Sequence, residues 1–135
     1  MRIIFVGLHN KGNLMPLDSS TKTGKLVNRI INGLPKHLEI VKTNLFDVSY
    51  LPLGDEAIDL SYEWYWKHLP VDDDIIVLFG GIVHKSFIHN VENLIKVAHP
   101  ASKWSHQEKD EYVADTITRI YKFITLCTFL KRIGK

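Results

Sequence analysis

The chain has 135 residues, of which 45% are hydrophobic and 24% are charged, and its formal net charge is +2. These values are typical of one compact domain over residues 1–135 and exclude a disordered or fibrous chain. So small a net charge neither requires nor excludes nucleic acid. The single cysteine, Cys127, excludes an internal disulfide or a cluster held by several thiolates, and it fits a reducing cytoplasm. No apolar stretch reaches the ~18 residues of a membrane span, so we expect no membrane association.

Hydrophobic periodicity divides the chain into alternating strands and helices. Strands are predicted where short β-branched or continuously apolar runs occur, and helices where apolar residues recur every three or four positions. The predicted strands cover residues 2–6, 38–45, 74–81 and 94–98. The predicted helices cover residues 23–31, 55–69, 82–88 and a long terminal segment that starts near residue 107. This alternation predicts an α/β fold in which helices cover both faces of a parallel sheet.

Polar residues follow three of the predicted strands. The first strand leads into Gly-Leu-His-Asn-Lys-Gly at residues 7–12, Asn44 lies near the carboxyl end of the second, and His99 follows the fourth. The carboxyl ends of parallel strands lie at one edge of the sheet, and open α/β sheets bind ligands there. We therefore expect these residues to form one site.

The aromatic residues of helix 55–69 and the aspartates at residues 72–74 could serve either the fold or a binding site. The aromatic residues of helix 55–69 favour packing against the sheet, with Tyr62, Tyr65 and Trp66 at the spacing of the apolar face and Trp64 the most exposed ring. Three adjacent aspartates at residues 72–74 cannot all face one ion, so they indicate a solvated loop rather than a metal site.

Three segments at successive strand ends, taken together, resemble the uracil-DNA glycosylase superfamily. They are Phe5-Val6-Gly7, Thr43-Asn44-Leu45 with Pro52 beyond, and His99-Pro100-Ala101. Two further matches are Pro16-Leu17 ahead of Thr23-Gly24-Lys25-Leu26, and Val77-Leu78-Phe79-Gly80. The resemblance implies a three-layer α/β/α sandwich with a four-stranded parallel sheet in the order 2-1-3-4. It also implies a monomer that needs no cofactor or metal and acts on DNA containing uracil or a damaged base.

The resemblance assigns roles to these strand-end residues. Such enzymes flip the nucleotide out of the duplex and read the base in a pocket. Asn44 is expected to read uracil, because its amide offers one donor and one acceptor to O4 and N3–H. His99 is expected to donate a hydrogen bond to O2 as negative charge develops there. His9 or Asn10 is expected to arrange the water, and Gly7 to line the base pocket.

The resemblance also predicts contacts with the face of the base and with the DNA. Leu17 occupies the place of the stacking aromatic residue, and Phe46 or Tyr50 is an alternative source of a ring. In the loop after the histidine, Ser102, Lys103 and Trp104 are expected to contact DNA, with Trp104 as the wedge that enters the duplex. Loop 7–12 lacks the carboxylate that several branches of the superfamily use.

The sequence leaves two alternative functions open, and two roles for Asp18. A non-catalytic member of the same fold that binds DNA or a base would explain the missing carboxylate. A small nucleotide-binding protein would use the glycine-flanked first loop, although that loop is neither a Gly-x-Gly-x-x-Gly fingerprint nor a P-loop. Asp18 is either a displaced general base or, with Ser19 and Ser20 after it, a helix cap.

Overall fold

The computed structural model describes residues 1–12, 14–100 and 104–134. Its elements follow the predicted order and are β1 (Arg2–His9), α1 (Lys22–Asn32), β2 (Glu39–Phe46), α2 (Asp55–His68), β3 (Ile75–Phe79), α3 (Gly81–Ser86), β4 (Asn93–Val97) and α4 (His106–Ile133). The main difference from prediction is β1, which runs to His9, so Gly7 and His9 belong to a strand rather than a loop. The ladder with β2 continues to the pair His9 and Phe46, which explains the extension.

The four strands form one all-parallel sheet in the order β2-β1-β3-β4, as predicted. The chain leaves β1 toward β2 on one side and then returns to place β3 on the other. The strand order therefore reverses between β1 and β3, and such a reversal opens a crevice at the carboxyl ends of the two strands. Gly7 pairs with Asn44 in the register of β1 and β2.

Helices cover both faces of the sheet, which confirms the three-layer α/β/α sandwich. Alternate residues of β1 divide between two cores, as the period of a strand requires. Ile3 and Phe5 pack with α1 and α4, whereas Ile4 and Val6 pack with α2 and α3. The sheet is thus buried on both sides, which accounts for the continuously apolar sequences of β1 and β3.

Helix α2 buries a different face from the one predicted. The side chain of Trp64 is only 3% exposed and its Nε1–H donates to Oγ1 of Thr43 at 3.1 Å, whereas Trp66 is 68% exposed. Ser61 is fully buried on the same face as Trp64. The prediction that Trp64 is the most exposed ring is therefore wrong. The buried face of α2 contains polar side chains that form hydrogen bonds, and the spacing of apolar residues alone does not reveal such a face.

Two of the three aspartates at residues 72–74 form ion pairs at the amino end of the sheet. Asp74 is buried and accepts a hydrogen bond at 2.7 Å from Arg2, and Asp73 pairs with Lys131 at 2.9 Å. Burial alone would raise the pKa of Asp74, but the hydrogen bonds from Arg2 hold it below its usual value. The three residues do lie in a loop, and Asp72 is exposed as expected, but the expectation of solvent exposure is wrong for Asp74, whose carboxylate ties β1 to the start of β3.

In the described part of the chain, no helix combines the length and the apolar character needed to cross a membrane.

Candidate functional site

A cavity of about 260 Å³ lies at the carboxyl edge of the sheet, next to the crevice between β1 and β3. Its walls come from the ends of all four strands, from the segment between β1 and α1, and from the first turn of α1. The lining residues are Gly7, Leu8, His9, Lys11, Leu14, Met15, Leu17, Asp18, Thr21, Thr23, Asn44, Phe79 and His99. Pockets for drug-sized ligands measure about 300–1,000 Å³, so this volume suits a smaller ligand such as a single base.

Asn44 reaches the cavity because Gly7 has no side chain. A Cβ atom on Gly7 would lie 2.7 Å from Oδ1 of Asn44, closer than real Cβ atoms approach other atoms, and a tight 3.0 Å from Cδ2 of Leu17. The glycine therefore lets the Asn44 side chain lie over β1 at the edge of the cavity. On its other side, Nδ2 of Asn44 donates to Oδ1 of Asn10 at 3.0 Å.

His99 is positioned by the carboxyl ends of β3 and β4. The Val97 carbonyl accepts the N–H of Gly80 at 3.0 Å and lies 2.9 Å from Nε2 of His84, which acts as the donor because a carbonyl can only accept. Gly80 has φ +90°, and a Cβ atom there would lie 3.3 Å from Cδ2 of His99. Tyr112 on α4 donates through its hydroxyl to the carbonyl of Ala98 at 2.6 Å. These contacts fix the backbone that carries His99.

The electrostatic environment favours a neutral imidazole at His99. Burial, reinforced by the positive charge of Lys11, lowers the pKa of His99 below its ordinary value of 6.5. A neutral imidazole has one nitrogen that donates and one that accepts. At neutral pH the His99 ring therefore carries no charge and has one N–H group.

The end of β1 separates the two residues predicted to arrange water. His9 lines the cavity, and its Nδ1 lies 3.0 Å from the Asn10 carbonyl. Because a carbonyl can only accept, Nδ1 is the donor in this contact, and in that tautomer Nε2 is the acceptor. Asn10 does not line this cavity. It lines a second one of about 110 Å³ between β2 and α2, and its expected role in arranging the water stays a prediction.

Leu17 and Asp18 hold the segment before α1 against the helix. Leu17 is a non-glycine residue with φ +53°, a strained conformation that is found where surrounding contacts enforce it. Thr21 is the N-cap, with its side chain accepting the N–H of Gly24. Asp18 is therefore not the cap. Its carboxylate accepts the N–H of Ser20 at 2.9 Å, and hydrogen bonds from Ser20 lower its pKa, so it is ionised beside the cavity.

The two predicted sources of an alternative stacking ring do not reach the cavity. Phe46 is fully buried in the core beneath α2 and α3, on the opposite face of the sheet from α1. Tyr50 donates its hydroxyl to Glu56 at 2.6 Å and lines neither cavity. The expectation is therefore wrong for Phe46, which is fully buried, whereas a ring supplied by the exposed Tyr50 stays a prediction. The apolar wall comes instead from Leu17, as predicted from the resemblance, and from Leu8, Leu14, Met15 and Phe79.

The predicted DNA-contact loop is described only in part. Ser102 and Lys103 lie outside the described residues. Trp104 is half-buried, and its ring lies 4.7 Å from that of Tyr112, centroid to centroid. Packing against α4 thus determines the position of the Trp104 ring, and a wedge into DNA remains a prediction.

Sequence reasoning missed Leu14, Met15, Thr23 and Phe79 as lining residues. Phe79 is the last residue of β3, and the glycine after it was a usable signal that the strand ends at the ligand edge. Leu14, Met15 and Thr23 gave no comparable signal, because their placement depends on how residues 14–23 pack against the strand ends.

Among the residues that the structure describes, no group of three or more histidine, cysteine or acidic side chains is placed to hold a metal ion. No protein-family model matches the chain, and no curated protein matches it. Function is therefore inferred from the residues of the cavity.

Proposed function

We propose that the protein is a DNA glycosylase that hydrolyses the N-glycosidic bond of uracil or a related damaged base. One observation carries this proposal: Asn44 and His99 line the same cavity. They lie at the carboxyl ends of the two edge strands of the sheet, whose axes are about 14 Å apart at the usual strand spacing. Convergence of an amide and a neutral imidazole from opposite edges is what recognition and cleavage of a flipped base require.

Asn44 supplies base recognition in this proposal. With Nδ2 directed toward Asn10, the amide retains Oδ1 and a second N–H for a ligand. Oδ1 accepts N3–H of uracil and the second N–H donates to O4. Gly7 keeps the space in front of this amide open, and the apolar wall that includes Leu17 contacts the face of the base.

His99 supplies stabilisation of the leaving group. In the reaction, the bond between C1′ of deoxyribose and N1 of uracil breaks, its electron pair leaves on the base, and the oxygen of water adds to C1′. Negative charge develops on O2 of uracil, where the imidazole of His99 donates a hydrogen bond that is stronger in the transition state than in the bound substrate. Loss of one donor of this kind costs about 100-fold to 1,000-fold in rate.

Two lining groups can attract the proton of the attacking water. His9 presents the lone pair of Nε2, since its Nδ1 proton is directed to a carbonyl. Asp18 presents a carboxylate that is ionised at neutral pH, and its negative charge also favours the cation-like sugar. Cleavage rates of His9→Gln and Asp18→Asn distinguish the two candidates. The variant that lacks the true proton acceptor should show the larger fall in rate.

The test is cleavage of a labelled oligonucleotide that contains one uracil, either single-stranded or opposite guanine, read as strand scission after alkali. His99→Ala and Asn44→Ala are expected to lower the rate at least 100-fold. His37→Ala, at an exposed histidine that lines neither cavity, is the matched control and is expected to be unchanged.

Full cleavage by His99→Ala and Asn44→Ala would refute the proposed site. Tight binding of the uracil oligonucleotide without turnover would identify a binding protein instead, and protection from thermal unfolding by a free nucleotide but not by DNA would identify a nucleotide-binding protein. The proposed place of action is the cytoplasm, which the single cysteine fits.

A further inference from the structure

Asn10 lies between Asn44 and the carboxylate of Asp47. Nδ2 of Asn10 donates to Oδ1 of Asp47 at 2.8 Å, and Oδ1 of Asn10 accepts from Nδ2 of Asn44 at 3.0 Å. The backbone N–H of Asn10 also donates to the carbonyl of Val48 at 2.8 Å, which holds Asn10 beside the end of β2. The three side chains form a continuous hydrogen-bonded row that starts at a charged group.

The carboxylate determines the direction of every hydrogen bond in this row. An ionised carboxylate only accepts, so Asn10 must turn its NH2 group toward Asp47. The carbonyl oxygen of the same amide then faces Asn44, and Asn44 must present its NH2 group to that oxygen. Rotation of the Asn44 amide by 180° would place two carbonyl oxygens in contact and lose a hydrogen bond.

Orientation of the Asn44 amide decides which base it can read. Uracil presents a donor at N3 and an acceptor at O4, whereas cytosine presents an acceptor at N3 and a donor at N4. The two patterns are opposite, so an amide turned by 180° would match cytosine as well as the observed orientation matches uracil. An amide that rotates freely would therefore discriminate poorly between the two bases.

We propose that Asp47, acting through Asn10, fixes the orientation of the Asn44 amide and thereby sets the preference for uracil over cytosine. This inference rests on the proposed function of the cavity. Asp47 and Asn10 line the second cavity and not the first, so they are positioning residues that do not touch the base. The role of Asn10 thus differs from the arrangement of water that the sequence predicts.

The first test is the variant Asp47→Asn, which keeps the shape of the side chain but permits either direction of the hydrogen bond to Asn10. We expect kcat/KM for uracil to fall about tenfold, the effect of one lost hydrogen bond of ordinary strength, and the ratio of uracil to cytosine excision to fall with it. Asp47→Glu retains an acceptor-only group and is expected to restore part of that ratio. Asp59→Asn, at an exposed carboxylate on α2, is the matched control and is expected to match the wild type.

A uracil to cytosine ratio that is unchanged in Asp47→Asn would overturn the inference. A structural defect is distinguished by its signature, because it would lower excision of both bases and leave their ratio unaltered. That result also counts against the proposed role, since the role requires a change in selectivity.

A second measurement does not depend on glycosylase activity. In 15N-labelled protein, the Nδ2 proton of Asn44 that is bonded to Asn10 is expected to exchange slowly with solvent and to give an NOE to the side chain of Asn10. In Asp47→Asn this proton should exchange faster and the NOE should weaken, because the Asn44 amide can then turn its carbonyl oxygen toward Asn10. An unchanged exchange rate and NOE would overturn the inference even if the wild type cleaves uracil. Absence of cleavage by the wild type would refute the proposed function and leave the NMR comparison to decide whether Asp47 orients Asn44.

Discussion

Gly24 lies in the first turn of α1, where replacement by alanine tests how closely the wall of the cavity packs against this helix. Alanine is favoured over glycine in a helix by about 1 kcal/mol, so propensity alone predicts a more stable protein. A Cβ atom on Gly24, however, would lie 2.7 Å from the carbonyl oxygen of Leu17 and closer still to the carbonyl of Asp18. Real Cβ atoms essentially never approach other atoms within 3.0 Å, and a backbone carbonyl cannot turn aside as a flexible side chain can.

The expected size of the effect follows from these two opposing contributions. Overpacking costs about 1–3 kcal/mol, and contact with backbone places Gly24→Ala near the upper end of that range. Subtracting the gain of about 1 kcal/mol in propensity leaves a net loss of about 2 kcal/mol. For a chain of this length that corresponds to a fall of about 8 °C in Tm.

The assay is urea and thermal unfolding of Gly24→Ala beside Gly81→Ala. Gly81 begins α3, and a Cβ atom there would have no neighbour within 4 Å, so this control is expected to be neutral or stabilised by up to about 1 kcal/mol. A Gly24→Ala variant as stable as the wild type would refute the close approach of residues 17–18 to α1. The cavity wall at residues 17–18 would then lie farther from α1.

Three further predictions concern residues that support the sheet and the site. Trp64→Phe should lower the free energy of unfolding by about 2 kcal/mol through the lost hydrogen bond and the space left behind, whereas Trp66→Phe should change it by less than about 0.5 kcal/mol in the same urea titrations. Asp74→Asn should cost about 2–3 kcal/mol at pH 7, less than a fully buried pair because Arg2 is 27% exposed. Folding lowers the pKa of Asp74, so the difference in unfolding free energy between wild type and Asp74→Asn should be constant above the pKa of the unfolded state, about 4. This difference should shrink as the pH falls through the lower pKa of the folded state. A difference that stays constant down to pH 2 would contradict the ion pair. Gly80→Ala should lower the free energy of unfolding by about 1–2 kcal/mol, because alanine is strained at φ +90°. It should also impair cleavage of the uracil oligonucleotide, because the added Cβ atom contacts the His99 ring. Normal activity would show that this turn does not position His99.

Local patterning made the architecture predictable from sequence. The strands were recognisable because each is buried on both faces and therefore nearly continuously apolar, and the regular alternation with helices implied parallel pairing. Element boundaries were less accurate, as β1 shows. Gly7 and His9 look like loop residues in isolation, and only pairing with β2 extends the strand through them.

Side-chain environments that depend on distant partners were not predictable. Trp64 is buried because Thr43 and the sheet lie beside it, and Asp74 is buried because Arg2 neutralises it. The same limit applied to the site. Phe46 was near the right strand end, but it packs in the core beneath α2 and α3, which alternation along the strand from Asn44, two residues earlier, would not predict.

By itself the sequence determined the α/β class, the four strands, and the placement of Asn44 and His99 at strand ends, because hydrophobic period and strand termini are local properties of the chain. The tertiary structure alone decided which of the neighbouring polar residues face the cavity. His9 faces it, whereas Asn10 is turned away and bonded to Asn44 and Asp47. The physical reason is that hydrogen-bond partners and burial are set by segments far apart in sequence, which come together only when β1 and β2 pair and the crevice between β1 and β3 is formed.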